Sequence, residues 1–157
     1  MHFFCKNREI GVYFNDKRIP YYNMINIKNI KPKIKGLAEE FNLSLVVLFG
    51  SQASGKTHSK SDIDFAFLSD RNMSLREIAQ MQFDFCKKLK LQDLELVDLK
   101  KAPPLLLKQV AQKSILLYEK KPLVFNNFNI YAIKRFMEAK KLLDLRKLSF
   151  NKFLQTI

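Results

Sequence analysis

Glycine and proline are scarce in this 157-residue chain, at 4 and 5 residues, and tryptophan is absent. With so few breakers and no low-complexity tract or internal repeat, the chain is neither a linker nor a repeat array, and disorder is not expected away from its ends. The two cysteines, Cys5 and Cys86, form no disulfide framework and no metal-ligand spacing, which fits a reducing, cytoplasmic setting. No apolar run approaches the roughly 18 residues of a membrane span, and Lys6, Arg8 and Glu9 interrupt what would be the core of a signal peptide, so no membrane association is expected. Acid is short as well. Against 28 Lys and Arg stand 15 Asp and Glu, a formal charge of +13. Such a surface attracts polyanions: nucleic acid, nucleotides or an acidic protein. The excess is mostly lysine spread along the chain, as in Lys87-Lys88 and Lys100-Lys101, which a lysine-rich genome also produces.

What is present is enough apolar material, 47% of residues, to fill the core of one domain. Residues 1–23 are polar and aromatic without a clear period and read as an N-terminal appendage; the regular pattern, and the domain, run from Met24 to residue 157. Ile30, Ile34, Leu37, Ala38 and Phe41 follow helical spacing. Ser44 to Phe49 is a short apolar run of strand formers, and a second strand follows at Asp62 to Leu68. Ser74 and Glu77 form a capping box for a helix through about Leu89, with Ile78, Met81, Phe85 and Cys86 on one face. A third strand, about Asp93 to Leu99, leads through Pro103-Pro104 into a helix carrying Leu106, Leu107, Val110 and Ala111. Ile115 to Tyr118 reads as a fourth strand. From about Asn127 a basic amphipathic helix uses Ile133, Phe136, Met137 and Leu143. This order predicts an α/β (α+β) domain with a small mixed sheet of about four strands flanked by helices.

Residues 50–64 spell two nucleotide motifs at once. Gly50 to Thr57 reads G-x-x-x-x-G-K-T, a phosphate-cradling P-loop, whose final residues must open a helix with its N–H groups facing the phosphates. His58-Ser59-Lys60-Ser61 has no apolar periodicity and a strand follows at once, so the context of that motif fails. The same stretch also reads Gly50-Ser51, ten residues, then Asp62-Ile63-Asp64. On a strand, Asp62 and Asp64 leave the same face about 7 Å apart. Two carboxylates so placed repel each other unless a divalent cation lies between them. Carboxylates around a pair of Mg²⁺ ions are what in-line phosphoryl displacement uses. A bare Asp-x-Asp is most often a solvated strand edge; here the Gly-Ser turn and its strand accompany it.

Gly50-Ser51 with Asp62-Ile63-Asp64, flanked by the strand Leu45 to Phe49 and by Phe65-Ala66-Phe67, resembles the minimal nucleotidyltransferase (MNT) group of the DNA polymerase β superfamily. Leu96 to Leu99, Ala102 to Leu106 and Ile115 to Glu119 are similar to the segments that follow in that group, so the likeness spans roughly residues 26 to 145. It is greatest to the MNT antitoxins that pair with HEPN-domain, HepT-like RNase toxins. The resemblance implies a polymerase β-like fold, with Gly50 and Ser51 holding a nucleoside triphosphate and Asp62 and Asp64 as metal ligands. It also places the third carboxylate at Glu95, as ligand or proton acceptor, where the group usually has Asp; Asp93 shares that face and is the reserve candidate. Ser54 stands where the group often has Arg, leaving Lys56 to supply positive charge to the phosphates. His58 reads as a polar loop residue and Tyr118 as packing.

The activity so implied is transfer of AMP from ATP, with two Mg²⁺ ions, to a tyrosine of the HEPN toxin in a hetero-oligomer, silencing it by added charge and bulk. Two other readings remain open: transfer to RNA or a small molecule, for which the basic charge argues, and an antitoxin weakened at Glu95 that neutralises by contact alone.

Overall fold

The computed structural model describes residues 26–54, 62–91 and 93–155. In order they form α1 (Ile27–Glu40), β1 (Leu43–Phe49), α2 (Gly50–Ser54), β2 (Ile63–Ser69), α3 (Leu75–Leu89), β3 (Leu94–Asp98), α4 (Pro104–Lys113), β4 (Ile115–Glu119) and α5 (Val124–Leu154). The four strands make one mixed sheet in the order β3-β2-β1-β4. β1 runs antiparallel to both β2 and β4, and β3 runs parallel to β2. The expected fold, a small mixed sheet flanked by helices, is the one observed. The antiparallel β1–β2 pair also removes the P-loop alternative, in which a crossover helix would return the chain parallel to the first strand. The N-terminal appendage, Lys56 and His58 lie outside the described residues.

β1 is buried along its whole length because helices cover both faces of the sheet. On one face Val46, Leu48, Phe65, Phe67 and Leu96 pack against Ile34 and Leu37 of α1 and Met81 and Phe85 of α3. Phe65 meets Phe85 edge-on, with ring centroids 6.3 Å apart. On the other face Leu45, Val47, Phe49 and Ala66 meet Leu107 and Val110 of α4 and Phe128 and Ala132 of α5. The period-2 alternation of β1 and β2 divides the two cores residue by residue. Among the described residues no helix is long and apolar enough to cross a membrane.

Two local departures from the sequence expectation have physical causes. α5 begins at Val124 rather than near Asn127, although Leu123 before it carries no capping side chain and sits at φ 71°. The missing cap comes from elsewhere: the Phe125 N–H donates to the Glu119 carboxylate at the end of β4, at 3.2 Å. The apolar face expected for this helix is also only partly used. Phe128 and Ala132 are buried and Ile133 and Phe136 half-buried, while Met137 and Leu143 are exposed.

The capping box of α3 is present as expected. The Glu77 N–H donates to Ser74 Oγ at 3.3 Å, and the Ser74 N–H donates to Glu77 Oε2 at 2.8 Å. Arg71 adds an ion pair to the same carboxylate at 2.6 Å. Its hydrogen bond, reinforced by those from Ser74, holds the Glu77 carboxyl down at about 2, against an ordinary 4.5. Replacing Ser74 with Ala should cost about 1 kcal/mol, read from urea denaturation midpoints. Because the folded-state value is depressed, the stabilisation from Glu77 is complete above 4.5 and is lost as pH falls through about 2. The penalty of Glu77→Gln should fade over that window.

Candidate active site

The site is built where β1 ends. Phe49 pairs with Asp64 across the antiparallel ladder, and Asp64 pairs with Glu95 across the parallel one. These registers set Asp64 and Glu95 side by side on the sheet face covered by α4 and α5; Asp62, expected to open the strand, lies one residue before β2 begins. The alternation expected from the sequence is therefore realised: Phe65 and Phe67 point into the opposite core.

Between Phe49 and α2 stands Gly50, at φ +72°. Its Cα is pressed so closely on Asp64 that a Cβ there would lie 2.9 Å from Asp64 Cγ and overlap one carboxylate oxygen. Only glycine supplies both the left-handed backbone and the space. The turn opens α2, a five-residue helix that the sequence did not announce, since one turn and a half is too short to show periodicity. α2 packs on β1, β2 and α4, carrying Ser51 half-buried and Gln52 buried, with 7% of its surface exposed. The burial of Gln52 had no signal in the sequence beyond its nearness to Gly50-Ser51.

Asp64 is half-buried, whereas Asp62 and Glu95 are exposed. Burial pushes the Asp64 carboxyl above its ordinary 3.8, and the charges of Glu95 and then Asp62 push it further. Both other carboxylates named from the sequence thus bear electrostatically on Asp64. Among the described residues no three acidic, His or Cys side chains are gathered into a ready-made metal cage. The donor chemistry nonetheless suits a hard divalent cation: the oxygens are carboxylate oxygens, and their mutual repulsion is what such an ion relieves. Asp62 and Glu95 would have to turn toward Asp64 to share it.

The neighbouring acids have other work. Asp98, on the opposite parity of β3, has a side chain 8% exposed, lies 3.9 Å from the Lys101 ammonium and accepts the Lys100 N–H at 2.9 Å, fastening the turn toward α4. Asp93 is exposed just before β3, and its carbonyl accepts the Ile63 N–H at 2.9 Å, extending the β2–β3 ladder.

Comparison with known proteins agrees with this geometry. Residues 31–123 match the polymerase β nucleotidyltransferase family, and the chain belongs to it. Its fold is that of the MNT chains of toxin–antitoxin complexes. A chain from a toxin–antitoxin complex with AMP-PNP is 25% identical, with a TM-score of 0.63 over 79% of this chain and 98% of that one. A chain from the complex of a tri-AMPylated Shewanella oneidensis HEPN toxin with its MNT antitoxin is 22% identical, with a TM-score of 0.61 over 82% and 98%. An MntA–HepT complex gives 22% identity and a TM-score of 0.60 over 81% and 98%. No curated protein sequence matches the chain.

Because the folded state raises the Asp64 value, its contribution to stability is complete below 3.8 and is lost as pH rises through the folded-state value. In the metal-free protein, Asp64→Asn should raise Tm at pH 7, and the gain should vanish below about pH 4. Gly50→Ala should destabilise by more than about 1 kcal/mol, from the backbone alone, with the collision on Asp64 adding to it. Thermal unfolding of the two variants across pH checks both.

Proposed function

We propose that this nucleotidyltransferase is the antitoxin of a toxin–antitoxin pair, and that it transfers AMP from ATP to a tyrosine hydroxyl of a HEPN-type RNase toxin. The observation that carries the reading is the pressing of Gly50 on Asp64, with Glu95 in register beside it. The AMP-PNP complex and the AMPylated HEPN toxin among the similar structures support the choice of nucleotide and acceptor.

In the proposed reaction the acceptor oxygen attacks the α-phosphorus of ATP. A new O–P bond forms, the bond from the α-phosphorus to the oxygen that bridges it to the β-phosphate breaks, and pyrophosphate leaves. Asp62, Asp64 and Glu95 would hold Mg²⁺, which when bound offsets the negative charge on the phosphates and the leaving group. Gly50 and Ser51, at the start of α2, would receive the triphosphate, with Lys56 adding positive charge. Glu95, exposed and longer than the usual Asp, would take the hydroxyl proton. Burial of Asp64 keeps that carboxylate fixed by the core, so one rigid ligand faces two adjustable ones. An AMP on the toxin would add a negative charge where RNA binds, a local change with a global effect.

Incubation with ATP labelled at the α-phosphate and the HEPN-type partner should label the partner, with release of pyrophosphate. Asp64→Asn should lower the rate by at least about two orders of magnitude. Label appearing in RNA or in no acceptor, or an unchanged rate in Asp64→Asn, would overturn the proposal. Full neutralisation of the toxin by Asp64→Asn would instead favour an antitoxin acting by contact.

A further inference from the structure

The last sixteen described residues of the chain, Lys140 to Gln155, are all exposed, and all but Gln155 belong to α5. They span roughly 20 Å of helix beyond the sheet. Yet they are rich in apolar side chains: Leu142 is 70% exposed, Leu145 61%, Leu148 59% and Phe150 59%. So much apolar surface in water marks a surface that is covered when the protein works.

The pattern of these residues states what kind of cover it is. Phe136, Ala139, Leu143 and Phe150 continue the core-facing line of Phe128 and Ala132 at steps of three, four and seven, and the exposed Leu142, Leu145 and Phe153 widen it on one side. A second apolar line, Ile130, Met137 and Leu148, runs roughly 150° around the helix from the first at about 100° per residue. Cations separate the two lines on both sides, Lys140 and Lys147 on one and Lys134, Lys141 and Lys152 on the other. A membrane surface wets one side of a helix and could not take both lines. RNA would satisfy the cations and leave the apolar lines in water.

A second copy of the chain is also a poor match. In a parallel pair Arg146, which falls in the first line between Leu143 and Phe150, would meet its own copy, and in either orientation the flanks would be cationic on both partners. From Lys140 to Gln155 there are five cations and one carboxylate, Asp144. Residues 1–25 are basic too, with Lys6, Arg8, Lys17 and Arg18 against Glu9 and Asp16. Charge complementarity therefore points away from this chain and toward an acidic protein.

We propose that the exposed half of α5 is a docking arm that inserts into an apolar cleft rimmed by carboxylates on the acceptor protein, gripped along two sides. α5 leaves the same sheet face on which Asp64 and Glu95 lie, so a protein held on the arm stands beside the carboxylates rather than behind the sheet. That the docked protein is the HEPN-type acceptor rests on the transfer reading above; the two-sided, acid-rimmed cleft rests on α5 alone.

The test uses the full chain and the HEPN-type protein of its own pair, with affinity measured by titration calorimetry. Leu143→Gln with Phe150→Gln, Met137→Gln with Leu148→Gln, and Lys140→Glu with Lys147→Glu should each weaken binding at least about 100-fold, as loss of interface anchors does. Their helicity and Tm should stay unchanged, because these residues are exposed, and Asp64→Asn should bind like wild type. Affinities within twofold of wild type in all three arm variants would overturn the docking arm. So would an arm-dependent dimer of this chain, or arm-dependent binding to anionic vesicles or RNA with HEPN binding intact. A tight, arm-dependent complex without nucleotide transfer would uphold the arm and sink the transfer reading; transfer that is indifferent to the arm variants would do the reverse.

Discussion

The contact between Gly50 and Asp64 governs the rest of the molecule's chemistry. A left-handed turn with no side chain lets the chain leave β1 against the very carboxylate that β2 presents, so the start of α2 and the acidic strand end are held in one place. The register follows from it. Phe49 opposite Asp64 and Asp64 opposite Glu95 leave no room for a one-residue slip, because a slip would move Phe65 and Phe67 to the α4 and α5 face and turn Asp64 into the core under α1 and α3. The fold is thus committed to a half-buried carboxylate flanked by two exposed ones. Its cost is visible in the upward shift of Asp64, which burial causes first and the neighbouring charges increase.

The sheet supports this arrangement by asymmetry. One face is closed by α1 and α3 over a continuous core in which the rings of Phe65 and Phe85 meet. The other is closed by α4 and the first half of α5, and the carboxylates sit at its edge. Rigidity is therefore greatest behind the site, where β1 is buried on both faces, and least along the far half of α5, where every residue is exposed. The proposed transfer to a protein would use both: a fixed centre for the nucleotide and an arm for the partner.

Much of this was legible from the residues. Asp62 and Asp64 could be placed on one face of a strand because β side chains alternate, and the core residues of α1 and α3 could be named because helical periodicity holds over fifteen residues. The capping box of α3 was readable because its two partners are three residues apart. Other features had no such signature. α2 is too short for a period, and the start of α5 is capped by Glu119, a side chain from another element. The exposure of Met137 and Leu143 depends on where the sheet ends, and nothing in an amphipathic pattern says how far a helix outruns its support.

By itself, then, the amino-acid order determined the elements other than α2 and the start of α5, the division of residues between two core faces and the spacing of Gly50-Ser51, Asp62 and Asp64, because these depend on local backbone geometry and on periods of 2 and 3.6 residues. The choice between the two overlapping nucleotide motifs was already visible in the missing helical pattern after Thr57; tertiary structure decided which side chains meet. The antiparallel return of β2 along β1 brings Asp64 onto Gly50 and the parallel β3 brings Glu95 beside Asp64, and pairings between distant segments are settled by burial rather than by neighbouring residues.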